Sequence, residues 1–164
     1  MVRSSVRERL DAIQWSNYKT AYGNAGSEHR FENASEQTTS RWGSVADQLD
    51  ELASNDDAKA LEASHHLWCC LCHQHAYVSS AALPALPFLL EVLDGAGEQL
   101  TIEILDILTG FAECSRTRDG GQSDWIRELR EQLLVARPRF ESLAKHRNQE
   151  IVDWAGRILD ELAH

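Results

Sequence analysis

The stretch EQLTIEILDILTGFAEC fills residues 98–114 and carries the pattern that decides the fold. Leu100, Ile104, Leu108 and Phe111 recur at intervals of three or four residues, which is the spacing of one face of an α-helix. No apolar–polar alternation of strand type interrupts them. The stretch therefore predicts a helix with a broad apolar face.

The same periodicity recurs on both sides of this stretch. Thr39 or Ser40 is expected to cap the second helix, Ser79 and Ser80 the fourth, and Pro138 is expected to kink the sixth. The sequence predicts seven helices, over residues 4–22, 41–53, 57–72, 81–93, 98–114, 124–146 and 148–163.

One long connection stands out between these helices. Residues 24–40 are polar, lack periodicity and contain Phe31 as their only large apolar group. We interpret them as a polar surface loop inserted into a single domain that spans residues 1–164. No segment shows an alternating pattern long enough for a β-strand.

Short connections between successive helices favour an all-α bundle or an α-solenoid of stacked antiparallel hairpins. Asn55–Leu71 and Asn148–Leu162 resemble each other, since in both a polar turn is followed by an apolar residue, a small residue and then leucine. Weak internal similarity of this kind is typical of stacked helical repeats.

A resemblance to a known family supports the repeat interpretation. The segment Leu71–Val78, which reads LCHQHAYV, and the segment Ala82–Glu91, which reads ALPALPFLLE, resemble small bacterial HEAT-repeat proteins. In that family a helix ends in His-Gln and the next helix carries an aliphatic-Pro-Phe-Leu motif. Trp15, followed by AYGNA at residues 21–25, is similar to the opening of the family, and Ile104–Ala112 to its third repeat.

The resemblance implies a HEAT-like α-solenoid of about seven helices that binds another protein. Several members of the family look like immunity proteins, which neutralise toxins in bacterial competition. This chain departs from the family in two places. His75–Val78 replaces the Gly-Thr-aliphatic-aromatic sequence that usually follows His-Gln, and the insertion at 24–40 separates the opening from the first repeat.

The charge of the chain is concentrated in its middle. Residues 41–114 contain twelve acidic residues against only Arg41 and Lys59, whereas acidic and basic residues balance on either side, so the middle accounts for the net charge of −10. Such a field attracts basic partners and repels nucleic acid and anionic membranes. A solvated, solubilising surface is the alternative interpretation.

Seven thiols and imidazoles crowd the eleven residues His65–His75. Zinc prefers such ligands, and His66, Cys70 and His73 share one face of the predicted helix, so they are the candidates for a metal site. Structural zinc sites normally draw ligands from two elements, and Cys114 and His146 are isolated in the sequence. Packing is therefore the preferred interpretation, and we expect no metal and no cofactor.

Catalytic motifs are not apparent in the sequence. It contains no glycine-rich phosphate loop, no nucleophile elbow and no His-Glu pair of the kind that HEAT-like hydroxylases use for iron. We therefore expect no catalytic residues and no enzyme activity. The start of the chain shows no export signal, and no apolar run is long enough to cross a bilayer, so we expect a cytoplasmic protein.

The leading hypothesis is an immunity protein that covers a basic toxin domain with an acidic surface. The alternatives are a scaffold or regulatory protein unrelated to toxins, and a metal-binding protein that uses His65–His75. The residues expected to contact the partner lie at helix ends and in the His-Gln linker: Asp47, Asp50, Glu51, Glu62, Gln74, Tyr77, Glu91, Asp94, Glu98 and Asp106. Trp42 is the candidate for an exposed tryptophan anchor.

Overall fold

The computed structural model describes residues 5–33, 38–116 and 123–164, and this part of the chain is mostly helical. The all-α class is confirmed. The helices of the described part are α1 (Val6–Asp11), α2 (Val45–Leu52), α3 (Asp57–Cys72), α4 (Ala82–Leu93), α5 (Glu98–Cys114), α6 (Asp124–Val135), α7 (Arg137–Leu143) and α8 (Gln149–Leu162). The strands are β1 (Lys19–Thr20), β2 (Gly23–Asn24), β3 (His29–Asn33) and β4 (Thr38–Trp42).

The larger helices lie in two rows. One row contains α2, α4 and α6, in which each helix contacts the next, and the other contains α3, α5 and α8 in the same manner. Contacts between α2 and α3, between α4 and α5, and between α6 and α8 join the rows. Helix α1 packs against α2, and α7 packs against α8. No helix of the described residues is long and apolar enough to cross a membrane.

Helix α5 lies at the centre of this packing, with α3 and α8 beside it and α4 and α6 behind it. Its bounds are those that the periodicity predicted. Beyond its first turn, only Glu103, Asp106, Glu113 and Cys114 are not buried. The buried Thr109 donates its hydroxyl to the carbonyl of Leu105, so its polar group has a partner inside the core.

The prediction of a first helix over residues 4–22 is wrong beyond Asp11, where α1 ends. The indole nitrogen of Trp15 and the amide of Ile13 both donate to the carbonyl of Leu10, which a longer helix would pair with the amide of Gln14. A single 3₁₀ turn over Trp15–Asn17 follows, and β1 and β2 then form a small antiparallel hairpin.

The polar loop predicted over residues 24–40 is also corrected. Strands β3 and β4 pair in antiparallel register, with His29 opposite Trp42 and Asn33 opposite Thr38. The pattern gave no sign of them because the segment lacks alternating apolar residues, while the hairpin is held by backbone hydrogen bonds. The fold is therefore all-α with two β-hairpins between α1 and α2.

The hairpin of β3 and β4 moves the start of the second helix. Arg41 and Trp42 belong to β4, so the caps predicted at Thr39 or Ser40 are wrong. The cap is Ser44, whose hydroxyl accepts from the amide of Asp47 while the Asp47 carboxylate accepts from the amide of Ser44. This reciprocal capping box fixes the beginning of α2.

The sixth predicted helix is divided in two. Ala136 separates α6 from α7, and Pro138 lies in the first turn of α7, where its missing N–H leaves no helical hydrogen bond unmade. The break close to the predicted kink raises the number of helices from seven to eight in the described part of the chain.

The packing of α5 against the end of α3 leaves no room for a side chain at Gly110. A Cβ there would lie 2.8 Å from the Cys72 sulfur and 2.9 Å from Cδ2 of His75. We expect Gly110→Ala to lower the free energy of unfolding by roughly 1–3 kcal/mol, because overpacking a tight core costs about that much. Urea denaturation followed by circular dichroism measures it.

Gly156→Ala in α8 is the matched control, because a Cβ at this second helical glycine meets nothing within 4 Å. Alanine there should be neutral or stabilise the protein by up to about 1 kcal/mol, since it restricts the unfolded chain. Equal destabilisation by the two substitutions would contradict the close packing at Gly110.

Candidate functional site

The linker after α3 has an unusual backbone. His73, Gln74 and His75 have φ angles of 40°, 55° and 66°, so three successive residues that are not glycine lie in the left-handed region. This conformation costs about 1–2 kcal/mol per residue. Such strain persists only where surrounding contacts enforce it, and it occurs often at functional sites. We call these three residues the left-handed turn.

The imidazole of His75 anchors the left-handed turn to α5. Its Nε2 lies 2.6 Å from Oδ1 of Asp106, and its Nδ1 lies 3.0 Å from Oε2 of Glu113. Since each ring nitrogen faces a carboxylate, the geometry fits an imidazolium that donates a proton from both. The hydrogen bond to Asp106 raises the pKa of His75 against the opposing effect of burial, and both carboxylates add to the rise. We call this arrangement the His75 clamp.

Neighbouring side chains extend the clamp in both directions. The indole nitrogen of Trp68 donates to the same Asp106 oxygen at 3.2 Å, which ties α3 to the clamp. On the other side, the guanidinium of Arg157 lies 3.5 Å from Glu113 and stacks over the ring of Trp154, 4.6 Å from its centroid. The clamp therefore joins the three helices of one row to the left-handed turn.

A series of ring contacts crosses the same row of helices and continues onto the hairpin. Trp42 of β4 stacks on His66 of α3 at 4.1 Å between centroids, and His75 meets the edge of Trp154 of α8 at 6.4 Å. We call this series the aromatic band. Its members are Tyr22, Trp42, His65, His66, Trp68, His73, His75, Tyr77 and Trp154.

The end of the aromatic band that contains Tyr22 and Tyr77 reaches solvent. The side chains of Tyr22 and Tyr77 are among the most exposed large apolar groups of the described residues, at 38% and 47%. Tyr22 meets the rings of Trp42 and His73 edge-on, at 5.9 Å in each case. Gln74, at the tip of the left-handed turn, is also exposed. Tyrosine and tryptophan are enriched at the energetic centres of protein interfaces.

Three of the ten residues predicted to contact a partner lie at this site. Gln74 is in the left-handed turn, and the ring centroid of Tyr77 lies 5.0 Å from that of His73. Asp106 holds the His75 clamp. Glu62 lies one turn before His66, with 3.9 Å between its carboxylate and Nε2 of that ring. Glu51 is exposed at the end of α2.

Five of the other predicted residues are neutralised by arginines from the two ends of the chain. The closest contacts are Arg7 with Asp47 at 2.8 Å, Arg9 with Glu91 at 2.7 Å, Arg139 with Asp94 at 3.0 Å and Arg147 with Glu98 at 3.1 Å, and Arg7 also lies 3.9 Å from Asp50. The fold therefore spreads the predicted acidic residues over several helices, and arginines neutralise the charge of five of them.

The metal candidates His66, Cys70 and His73 have separate environments. His66 is bonded through Nδ1 to the side chain of Gln48 at 3.0 Å, and His73 belongs to the left-handed turn. Cys70 is buried, and burial raises the pKa of its thiol to about 12, as it does for Cys72. Metal ligation needs a thiolate, so these thiols are poor ligands. In residues 5–33, 38–116 and 123–164, no three potential ligands are grouped for a metal ion.

The His75 clamp could not be predicted from the sequence. Asp106 and Glu113 lie 31 and 38 residues after His75, too far for any local motif. Tyr22 was assigned to the end of a helix, and only the hairpins bring it to Trp42 and His73. The glycine at position 110, one turn after Asp106, is the one local signal of a close approach to α5.

Comparisons with models of known protein families, with curated proteins and with solved structures found no match to this chain. The HEAT-like resemblance therefore stays a prediction. The interpretation of the site depends on its own geometry.

Replacing His75 with glutamine tests the clamp through its dependence on pH. Folding raises the pKa of His75, so its stabilising effect is complete below the unfolded pKa of about 6.5 and disappears as the pH rises through the folded pKa. We expect His75→Gln to cost about 2 kcal/mol of unfolding free energy near pH 6, a typical value for lost charge-assisted hydrogen bonds, and less near pH 9. Urea titrations at several pH values measure the difference.

Burial lowers the pKa values of His29 and His66, so these two groups titrate in the opposite sense. Both are present in the wild type and in His75→Gln, so their effects on stability cancel when the two proteins are compared. His65→Gln, at an exposed imidazole, is the control and should cost little stability. A cost for His75→Gln that stays constant from pH 6 to pH 9 would refute the clamp.

Proposed function

We propose that this protein is a non-catalytic protein-binding module built as a HEAT-like α-solenoid. Three hairpins support this architecture: α2 with α3, α4 with α5, and the pair α6 and α7 with α8. The first helices of the hairpins form one row and the second helices form the other, as expected for stacked helical repeats. Each hairpin contacts the next along both rows, and stacking of this kind buries the apolar faces of helical repeats.

The observation that carries the binding proposal is the left-handed turn held by the His75 clamp. The clamp offsets the strain of three left-handed residues and fixes Gln74 in an exposed position. A rigid turn beside exposed tyrosines loses little conformational entropy on binding, which favours affinity. The site therefore has the composition and rigidity of an interface centre.

The states of the titratable groups favour binding over catalysis. Both ring nitrogens of His75 face carboxylates, so the imidazole has no free nitrogen to act as a general base. The buried thiols of Cys70 and Cys72 are protonated at neutral pH and make poor nucleophiles.

The partner that we propose is a basic protein domain, most concretely a bacterial toxin that this chain neutralises in the cytoplasm. The net charge of −10 would speed encounter with a basic surface. Glu62 borders the aromatic band and would contribute at short range. Tyr77 and Gln74 would supply the specific contacts at the centre of the interface.

Coexpression tests this proposal. Each reading frame that adjoins the gene for this chain is first screened for toxicity in bacteria, and a toxic one is then expressed with either the wild type or the double variant Gln74→Ala/Tyr77→Ala. We expect the wild type to restore growth and the double variant to bind at least about tenfold more weakly, as expected when an aromatic anchor is lost. Growth curves and titration calorimetry with an inactivated toxin provide the measurements.

Gln14→Ala/Lys145→Ala is the control, because it removes two exposed side chains away from the aromatic band. It should protect as well as the wild type. Absence of protection by the wild type would contradict the immunity proposal. Full protection by the Gln74→Ala/Tyr77→Ala variant would show that the aromatic band is not the binding surface.

A further inference from the structure

A groove runs along the outer face of α4, on the row of helices opposite the aromatic band. Its centre is a cavity of about 820 Å³ between α1, α4 and α7. This cavity shares Val6, Glu91 and Gly95 with a second cavity of about 390 Å³ that reaches the turn between α2 and α3. It shares Pro87 and Arg139 with a third of about 530 Å³ between α4 and α6. We call the three together the α4 groove.

The dimensions of the α4 groove suit a short segment of another protein. Helix α4 has twelve residues and is therefore about 18 Å long, the length of about three turns of a docked helix. The groove has α1 as one wall and α6 with α7 as the other, and α4 is its floor.

Exposed apolar side chains lie at the α6 end of the groove. Val135 is 81% exposed, the most exposed large apolar residue of the described chain, and the neighbouring Leu134 is 41% exposed. Val135 lines the third cavity together with Pro87 and Leu90 of α4. These three side chains give the α6 end of the groove an apolar lining that a docked segment can cover.

The charges around the groove indicate the chemistry of its occupant. Arg9 and Arg139 are both engaged, since Arg9 makes two hydrogen bonds to Glu91 at 2.7 and 2.8 Å and Arg139 makes two to Asp94 at 3.0 and 3.2 Å. The rim beside Val135 adds two further carboxylates, those of Glu128 and Glu131. Among the described residues neither of these two forms an ion pair with lysine or arginine, so this rim is negative.

We propose that the α4 groove docks a short amphipathic basic segment of a partner protein. Its apolar side chains would cover Val135 and Pro87, and its lysines or arginines would face Glu128 and Glu131. A second copy of this chain in a two-fold contact would bring the same carboxylates together, which disfavours self-association. The inference does not rest on the proposed function, because the aromatic band lies on the other row of helices.

A synthetic peptide of about 14 leucines and lysines, with leucine at helical spacing, is the probe. Its affinity for the full-length chain is measured by fluorescence anisotropy. We expect Glu128→Lys/Glu131→Lys to weaken binding by about tenfold or more and Val135→Ser by about fivefold, since charge and apolar burial both contribute. The side chains of Glu128 and Glu131 are exposed, so the double variant should fold. Circular dichroism checks that it does.

Glu150→Lys/Asp160→Lys on α8 is the matched control, because it changes the net charge equally on the opposite row. It should weaken binding less than about threefold, through the long-range field alone. Equal weakening by the two double variants would overturn the proposal, because binding would then depend on net charge only. An unchanged affinity of Val135→Ser would also overturn it, as would a wild-type dimer in sedimentation that Val135→Ser dissociates.

Discussion

The imidazolium of His75 and the two carboxylates of α5 that face it determine the geometry around them. Asp106 and Glu113 lie almost two turns apart on α5, and one histidine side chain spans them. The histidine can reach them only because Gly110, between the two, has no side chain to fill the space. The backbone after α3 must then be left-handed to bring His75 over α5. The turn, the close helix packing and the clamp therefore depend on one another.

The arginines at the ends of the chain explain the uneven charge of the sequence. The middle segment of twelve acids and two bases contains the central helices, and the ends that pack around it supply Arg7, Arg9, Arg139, Arg147 and Arg157. Exposed pairs of this kind each stabilise the fold by less than about 1 kcal/mol. Together they link α1, α7 and α8 to the central helices. Charge segregation along the sequence thus places arginines of the two ends opposite carboxylates of the middle segment.

Much of the helical scaffold could be predicted from the sequence. The bounds of α3 and α5 agree with the periodicity, because both helices are long and bury a continuous apolar stripe. The hairpin of β3 and β4 could not be predicted, since backbone pairing leaves no pattern in a polar segment. The arginine pairs and the His75 clamp could not be predicted either, because they join residues 31 to 82 positions apart. Gln74 and Tyr77 were identified from the linker, whereas Tyr22 and His75 needed the fold.

The structure presents two surfaces of different character on opposite rows of helices. The aromatic band is held by the half-buried charges of the His75 clamp, while the α4 groove is a concave surface with an apolar end and an acidic rim. Two such surfaces suit a protein that engages a partner at more than one point, which raises affinity without new contacts at either site.

Titration of His75 by nuclear magnetic resonance tests the central claim most directly. The ring signals of the full-length chain are followed with pH and assigned by comparison with the His75→Gln spectrum. A clamped imidazolium predicts a midpoint above the ordinary histidine value of about 6.5, with protons on both ring nitrogens at pH 6. A midpoint at or below that value, or a proton on only one ring nitrogen at pH 6, would contradict the claim that His75 holds the left-handed turn on α5.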